Sequence, residues 1–122
     1  MNLWLMTAAL LAGATMVVHL VAGGRLFARP LLALEAGPTF KATHYFCWHI
    51  VTLTLGAWAA ALAWLALADG DWVPPAAFGL AGLAAAIAGL NLVIGVRQTG
   101  GIWPLPQWAF FLPLAIVTVV GA

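Results

Sequence analysis

Three histidines are the residues of this chain best suited to chemistry: His19, His44 and His49. His19 and His49 stand inside apolar stretches long enough to cross a bilayer. A titratable side chain at membrane depth is costly, so such a residue usually faces the inside of a helix bundle or a cavity. The imidazole ring can ligate a metal, carry a proton or hydrogen-bond a ligand. The sequence therefore predicts a site around these two histidines and leaves its chemistry open.

Two kinds of ligand suit histidines on neighbouring membrane helices. Haem b would take His19 and His49 as axial ligands if the two rings faced each other across a gap. A quinone would suit hydrogen-bonding groups such as Tyr45 and Asn91 within an aromatic rim. Small residues on both helices favour close helix contact over a porphyrin-sized slot, so haem b and a quinone remain open as alternatives.

Metal binding and catalysis have less support in the sequence. His44 and His49 are five residues apart, about 140° around a helix, whereas a chelating pair on one helix needs a spacing of three or four. No carboxylate lies within an apolar stretch to complete a metal site, so the sequence leaves open whether a metal ion binds. The single Cys47 excludes an intrachain disulfide, a cysteine-based zinc site and c-type haem. Cys47 points away from His49, the Cys47–His44 pair lies toward the outer side, and threonine beside His49 is a poor nucleophile. No catalytic residue is therefore predicted, and an intramembrane enzyme stays a less favoured alternative.

Composition identifies the solvent of this chain as lipid. Of its 122 residues, 66% are hydrophobic and 6% are charged, and the mean hydropathy is +1.11. A soluble domain carries about 25% charged residues. The net charge is +1 with no basic run, which argues against nucleic acid as a partner. The first apolar stretch follows no basic region, so we expect a retained helix rather than a cleaved signal peptide.

Four apolar stretches predict an all-α, polytopic membrane protein: a single domain forming a bundle of four transmembrane helices. A spanning helix needs about 20 apolar residues. The segment 26–38 is too apolar for a solvated loop and too short to span, so it is predicted to lie at the interface between the first two helices. The predicted helices cover residues 3–24, 43–68, 74–96 and 104–121.

Charge sets the predicted orientation. The loops after the first and third helices hold all the basic residues, whereas the loop after the second holds Asp69 and Asp71. Under the positive-inside rule the basic side is cytoplasmic. This predicts a bacterial inner membrane protein with both termini in the periplasm. The basic residues are Arg25, Arg29, Lys41 and Arg97.

Helical spacing predicts which side chains face inward. His19 shares a stripe with small residues of the first helix, and His49 shares one with Tyr45, Thr52 and Gly56. In the third helix Asn91 shares the inward face with Ala77, Ala84 and Ala88, and in the fourth Gln107 shares it with Phe111, Leu114 and Thr118. The opposite arc of the second helix, which includes Leu55, Trp58 and Leu65, is predicted to face lipid. His44 falls off the inward stripe and is predicted to mark the interface. The rise per residue places one polar layer in the cytoplasmic half. Its members are His19, Tyr45, His49, Thr52, Asn91 and Gln107.

These patterns favour a small accessory or ligand-binding subunit over an autonomous enzyme. The alternative is a purely structural or assembly subunit, in which the polar layer only fixes helix register. Hydrogen bonds between membrane helices average about 0.6 kcal/mol, so they specify more than they stabilise. A face of small residues, Ala81, Ala85 and Gly89, could dock another helix and predicts a homo- or hetero-oligomer.

Overall fold

The apolar stretches fold into four helices in the computed structural model, which describes residues 1–122. The all-α fold and the helical bundle predicted from the sequence are confirmed. Three helices are long and apolar enough to cross a membrane. The fourth has 14 residues, so it is about 21 Å long against a hydrocarbon core of about 30 Å. The helices are α1 (Leu3–Ala33), α2 (Pro38–Leu67), α3 (Val73–Thr99) and α4 (Trp108–Gly121).

The predicted interfacial segment 26–38 is mostly helical. Helix α1 does not end at Gly24 but continues to Ala33, and only residues 34–37 connect it to α2. Leucine and alanine dominate residues 26–34 and are strong helix formers, so they outweigh the two glycines before them. Helix α2 begins at Pro38, where a proline suits the first turn. The α1–α2 hairpin is therefore longer than the sequence predicted.

Helix α1 changes its winding at the first histidine. From His19 to Ala28 it is a π-helix, and at the end of this segment the N–H of Arg29 bonds to the carbonyl of Gly24, five residues back. Such winding is rare, usually limited to a single turn, and often found at functional sites. Sequence periodicity assumes 3.6 residues per turn, so it could not predict where the side chains of this segment point.

The helices pack in the order α2, α1, α4, α3. Helix α1 lies against α2 and α4, and α4 lies along α3, whereas α2 and α3 touch only over a short stretch. Leu55, Trp58 and Leu65 of α2 are at most 3% exposed, so the prediction that they face lipid is wrong. Ile50 and Leu53, which belong to the same predicted arc, are exposed as expected. Large side chains fill the wide interior between α2 and the other helices, while Gly56 packs against Met16 of α1. Helix α2 is thus buried on two sides.

The last helix begins at Trp108 rather than at residue 104. Gly100, with φ +73°, ends α3 in a left-handed conformation that favours glycine. Residues 100–107 are irregular and contain two prolines. The predicted inner face of α4 is confirmed, since Leu114 and Thr118 are each 1% exposed. The alanine face of α3 is also buried, at Ala77, Ala81, Ala84 and Ala88.

The two ends of the bundle differ. We call the end with the α1–α2 and α3–α4 connections the basic end, and the end with Asp69 and Asp71 the acidic end. At the acidic end Asn2 holds three helices together. Its backbone N–H donates to Ala66 O at 2.7 Å, and its Nδ2 donates to Gly121 O at 2.7 Å. Its Oδ1 accepts from the N–H groups of the first turn of α1.

Candidate functional site

The gap between α2 and α3 is a cavity in the half of the bundle nearer the basic end. Its volume is about 740 Å³, and all four helices contribute to its walls. Most lining residues are apolar, and none carries a formal charge. We call this space the main lobe. Its polar side chains are His19, His44, Thr54, Asn91 and Gln107, with Cys47 beside them.

A second space, the side lobe, lies between α1 and the irregular segment that precedes α4. It measures about 400 Å³ and includes Trp103, Pro104 and Pro106 in its lining. The two lobes share seven lining residues, so they are two parts of one site. The shared residues are His19, Phe27, Trp48, Val51, Leu55, Gln107 and Phe111.

His19 and Trp48 form the boundary between the lobes. Their rings stack with centroids 3.7 Å apart and planes 19° apart. His19 Nε2 also donates to Trp48 O at 3.2 Å, so a neutral imidazole keeps Nδ1 as an acceptor. The hydroxyl of Thr52 bonds to the same carbonyl. A Cβ at Gly23 would lie 2.5 Å from Trp48 Cη2, so only glycine leaves room for the indole in this position.

Asn91 and Gln107 connect α3 to the start of α4. Asn91 Nδ2 donates to Gln107 Oε1 at 3.0 Å, and Asn91 Oδ1 accepts from the N–H of Trp108 at 3.1 Å. A helix leaves its first N–H groups without internal partners, so Asn91 satisfies one of them. With its Oε1 taken by Asn91, Gln107 keeps its Nε2 donors for a group in the cavity.

His44 is exposed near the start of α2, which agrees with its predicted interfacial position, and it also lines the main lobe, which the sequence did not predict. Its Nδ1 donates to Phe40 O at 2.8 Å, and the two rings lie 4.0 Å apart. A neutral imidazole then keeps Nε2 as an acceptor. The sequence carried a signal for this placement, because one helical stripe with spacings of four and three runs through α2. That stripe is His44, Trp48, Val51, Leu55 and Trp58.

His49 is exposed and lines neither lobe, so the predicted inward orientation of this residue is corrected. Its ring makes an edge contact with Tyr45 at 4.5 Å, and Tyr45 is 37% exposed. On the same stripe Thr52 and Gly56 are half-buried, and Gly56 packs against Met16 of α1, whereas His49 is exposed. Of the predicted polar layer, the structure brings together His19, Asn91 and Gln107, and it leaves Tyr45, His49 and Thr52 outside the cavity.

The deep part of the main lobe contains a group that the sequence did not single out. Trp58 is 3% exposed, and its Nε1 is buried without a hydrogen-bond partner. Its ring centroid lies 6.1 Å from that of Phe111 in α4. The Nε1 of Trp58 is therefore an unpaired donor enclosed by its neighbours. The cue in the sequence is its position on the same stripe as His44 and Trp48.

This arrangement suits a neutral ligand with a flat ring and hydrogen-bonding oxygens. Aromatic side chains line both lobes, and the polar groups among them are amide, indole and imidazole rather than charges. No group of three or more His, Cys, Asp or Glu residues comes together as a metal site. Comparison with known proteins adds no relative, because no family model, curated protein or solved structure matches the chain.

Proposed function

We propose that this chain is a small accessory, ligand-binding subunit of a bacterial inner membrane, and that its cavity holds a quinone-like ligand taken from the lipid. The observation that carries this proposal is the main lobe itself. It is an apolar space of about 740 Å³ between two helices that touch little, with a few uncharged polar groups inside. Ligand sites are typically about 300–1,000 Å³, mostly apolar, with few polar groups.

The polar groups match both forms of such a ligand. The carbonyl oxygens of an oxidised quinone accept hydrogen bonds, and the free Nε2 of Gln107 can donate one. The hydroxyl groups of a reduced quinol donate, and the neutral rings of His19 and His44 each keep an acceptor nitrogen. Phe27, Trp48 and Phe111 supply faces against which a flat ring can stack.

Haem b is the alternative ligand and has less support. Its axial pair would be His19 and His44, because His49 lies outside the cavity. Ligation through Nε2 of His19 would break the bond to Trp48 O and disturb a stack with 3.7 Å between centroids. The lobes also contain no arginine or lysine to meet the propionates. A Soret band in the purified protein would favour haem over the quinone.

Orientation follows from the basic end. Arg25, Arg29, Lys41 and Arg97 all lie there and are not buried, so the positive-inside rule supports a cytoplasmic basic end and periplasmic termini. The cavity would then open in the cytoplasmic half of the bilayer.

A structural or assembly role is the second candidate, and a groove between α3 and α4 favours it. The groove combines the small residues Ala81, Gly82 and Ala85 with Leu112 and Ile116. Small residues let the backbones of membrane helices approach closely. A homo- or hetero-oligomer through this groove is compatible with ligand binding on the other side of the bundle. Cross-linking in native membranes that yields only monomer would count against it.

The test of ligand binding is a calorimetric titration of the purified protein with a short-tailed 1,4-benzoquinone. His19→Ala removes both the stack and the hydrogen bond that hold Trp48 in place. One hydrogen bond and one aromatic pair each contribute about 1 kcal/mol, so we expect binding to weaken about tenfold or more. His49→Ala is the matched control, since His49 lines neither lobe. Equal losses in both variants, or no binding to the wild type, would overturn the proposal.

A further inference from the structure

The side lobe is a long apolar groove that opens to the lipid. Along α1 it is lined from Thr15 to Leu26, which is about 15 Å of helix and about the depth of one leaflet of a 30 Å hydrocarbon core. Leu26 and Trp103, on its two walls, are 68% and 70% exposed, so the lobe opens outward between them. A groove of this length and depth fits one extended hydrocarbon chain better than a flat ring.

The residues that line only the side lobe offer little to a polar ligand. Thr15 and Trp103 are the only ones among them with a polar side-chain atom. The hydroxyl of Thr15 already donates to Leu11 O at 2.8 Å, and Trp103 lies at the exposed rim. Two of the groups suited to a quinone, His44 and Asn91, line the main lobe alone. The side lobe therefore suits hydrocarbon, and the polar part of its occupant would lie outside it.

Positive charge lies at the end of the groove nearest the membrane surface. Arg25 and Arg29 are within three residues of Leu26, and both are exposed. The basic end holds all 4 Lys and Arg residues of the chain against one carboxylate, Glu35, so most of these cations lack a carboxylate of their own. Neither arginine lines the lobe. An anionic group that they bind would therefore stay outside the groove, at the membrane surface.

We propose that the side lobe binds an anionic phospholipid, with one acyl chain in the groove and the phosphate outside it at Arg25 and Arg29. The directions agree, because a lipid in the leaflet at the basic end has its phosphate at the surface and its chains pointing inward, from Leu26 toward Thr15. Arginine and lysine residues beside a membrane attract anionic headgroups. The tail of a neutral quinone would leave these charges without a partner, so the phospholipid is the favoured occupant.

This inference goes beyond the proposed function and does not depend on it. The quinone-like ligand would occupy the main lobe, and the acyl chain would occupy the side lobe. His19 and Trp48 line both lobes. The chain would therefore pack against the same stacked pair that forms one wall of the main lobe.

Native mass spectrometry of the full-length protein, released from detergent, measures lipid binding directly. The probes are dioleoyl phosphatidylglycerol, which is anionic, and dioleoyl phosphatidylcholine, which has the same chains and no net charge. We expect the protein to retain phosphatidylglycerol in preference to phosphatidylcholine. Arg25→Gln and Arg29→Gln should each reduce this preference about fivefold. Arg25→Lys and Arg29→Lys keep the charge and should keep most of the preference. Arg97→Gln is the matched control, since α3 contributes no residue to the side lobe.

A photoreactive phosphatidylglycerol locates the acyl chain. With a diazirine in the middle of one chain, irradiation and peptide mapping should find the label within residues 15–26 and 103–110. Inorganic phosphate distinguishes a lipid site from a site for any free anion. It carries negative charge without a chain, so it should not displace the lipid.

Four results would overturn the proposal. Equal binding of the two lipids, or an equal loss of preference in Arg97→Gln, would remove the role of the two arginines. Displacement by inorganic phosphate would show an anion site in which the chain has no part. A label outside both ranges would place the chain elsewhere on the protein. Labelling of these ranges by a quinone with a photoreactive tail, and not by the lipid, would assign the groove to that tail. Whether the main lobe binds a quinone is decided separately, by the calorimetric titration.

Discussion

The imidazole of His19 lies almost flat on the indole of Trp48 and also donates a hydrogen bond to the carbonyl of the same residue. One tryptophan thus contacts the histidine through both its side chain and its backbone. Because both residues line both lobes of the cavity, a change in this pair alters the shape of the site as well as the α1–α2 contact. The glycine beneath the indole is the most sensitive point of this contact.

Gly23→Ala should destabilise the protein. The added Cβ would lie 2.5 Å from Trp48 Cη2, so the indole must move and its stack with His19 is disturbed. Overpacking of this kind costs about 1–3 kcal/mol. The measurement is the free energy of unfolding by denaturing detergent in mixed micelles.

Gly24→Ala is the matched control for that experiment. A Cβ at Gly24 would meet nothing within 4 Å, and replacing a helical glycine by alanine typically stabilises by about 0.5–1 kcal/mol. The two neighbouring substitutions should therefore have opposite signs. Stabilisation by both would show that Trp48 does not lie over Gly23.

Asn91→Leu should loosen the start of α4. The substitution removes the bonds to Gln107 Oε1 and to the N–H of Trp108. Each bond contributes about 0.6 kcal/mol on average within a membrane, so the global effect is small. The local effect should be larger: we expect faster hydrogen exchange at the amide of Trp108. Gln98→Leu, on the same helix and exposed, should leave that amide unchanged; equal exchange in both variants would contradict the capping role of Asn91.

Asn2 offers a test in which two contacts can be removed one at a time. Asn2→Ala removes the N-cap of α1 and the bond to Gly121 O, and the loss of an N-cap alone costs about 1 kcal/mol. Asn2→Asp keeps an oxygen for the cap but loses the Nδ2 donor. We therefore expect the free energy of unfolding to fall for both variants, and to fall further for alanine. A free energy of unfolding for Asn2→Asp equal to that of the wild type would mean that the link between Asn2 and α4 contributes nothing, and equal values for the two variants would mean the same of the N-cap.

Topology can be tested with single cysteines in a Cys47→Ser background. Asp71→Cys should react with a membrane-impermeant maleimide in intact cells, because the acidic end is expected in the periplasm. Arg97→Cys should react only after the membrane is opened. The reverse pattern would invert the orientation and place the cavity in the periplasmic half. Reaction at both positions in intact cells would indicate a mixed topology.

The sequence predicted the parts of this fold that depend on local hydrophobicity. Four apolar stretches became four helices, and the small-residue face of α3 and the inner face of α4 are buried as expected. These two helices each have a single buried side, so one stripe describes them well. For the same reason the sequence correctly predicted that Asn91 and Gln107 lie close together.

Local hydrophobicity could not predict the features of the fold that depend on the distance between helices. Helix α2 is buried on two sides, and periodicity selected the stripe of His49 while the cavity lies along the stripe of His44 and Trp48. A large side chain such as Trp58 can face lipid or fill a wide interior, and its hydropathy does not distinguish these two positions. The π-helical winding from His19 to Ala28 departs from the 3.6 residues per turn that a periodicity pattern assumes.

The shortness of α4 has a consequence for the bilayer around it. A helix of 14 residues covers about 21 Å, which leaves about 9 Å of a 30 Å hydrocarbon layer to the irregular residues 100–107. Non-helical backbone is tolerated at that depth only where it is covered by protein or reached by water. Hydrophobic mismatch on this face would thin the adjoining leaflet. Such thinning would bring the aqueous phase closest to the membrane interior beside the side lobe, which is where the proposed quinone-like ligand would exchange protons.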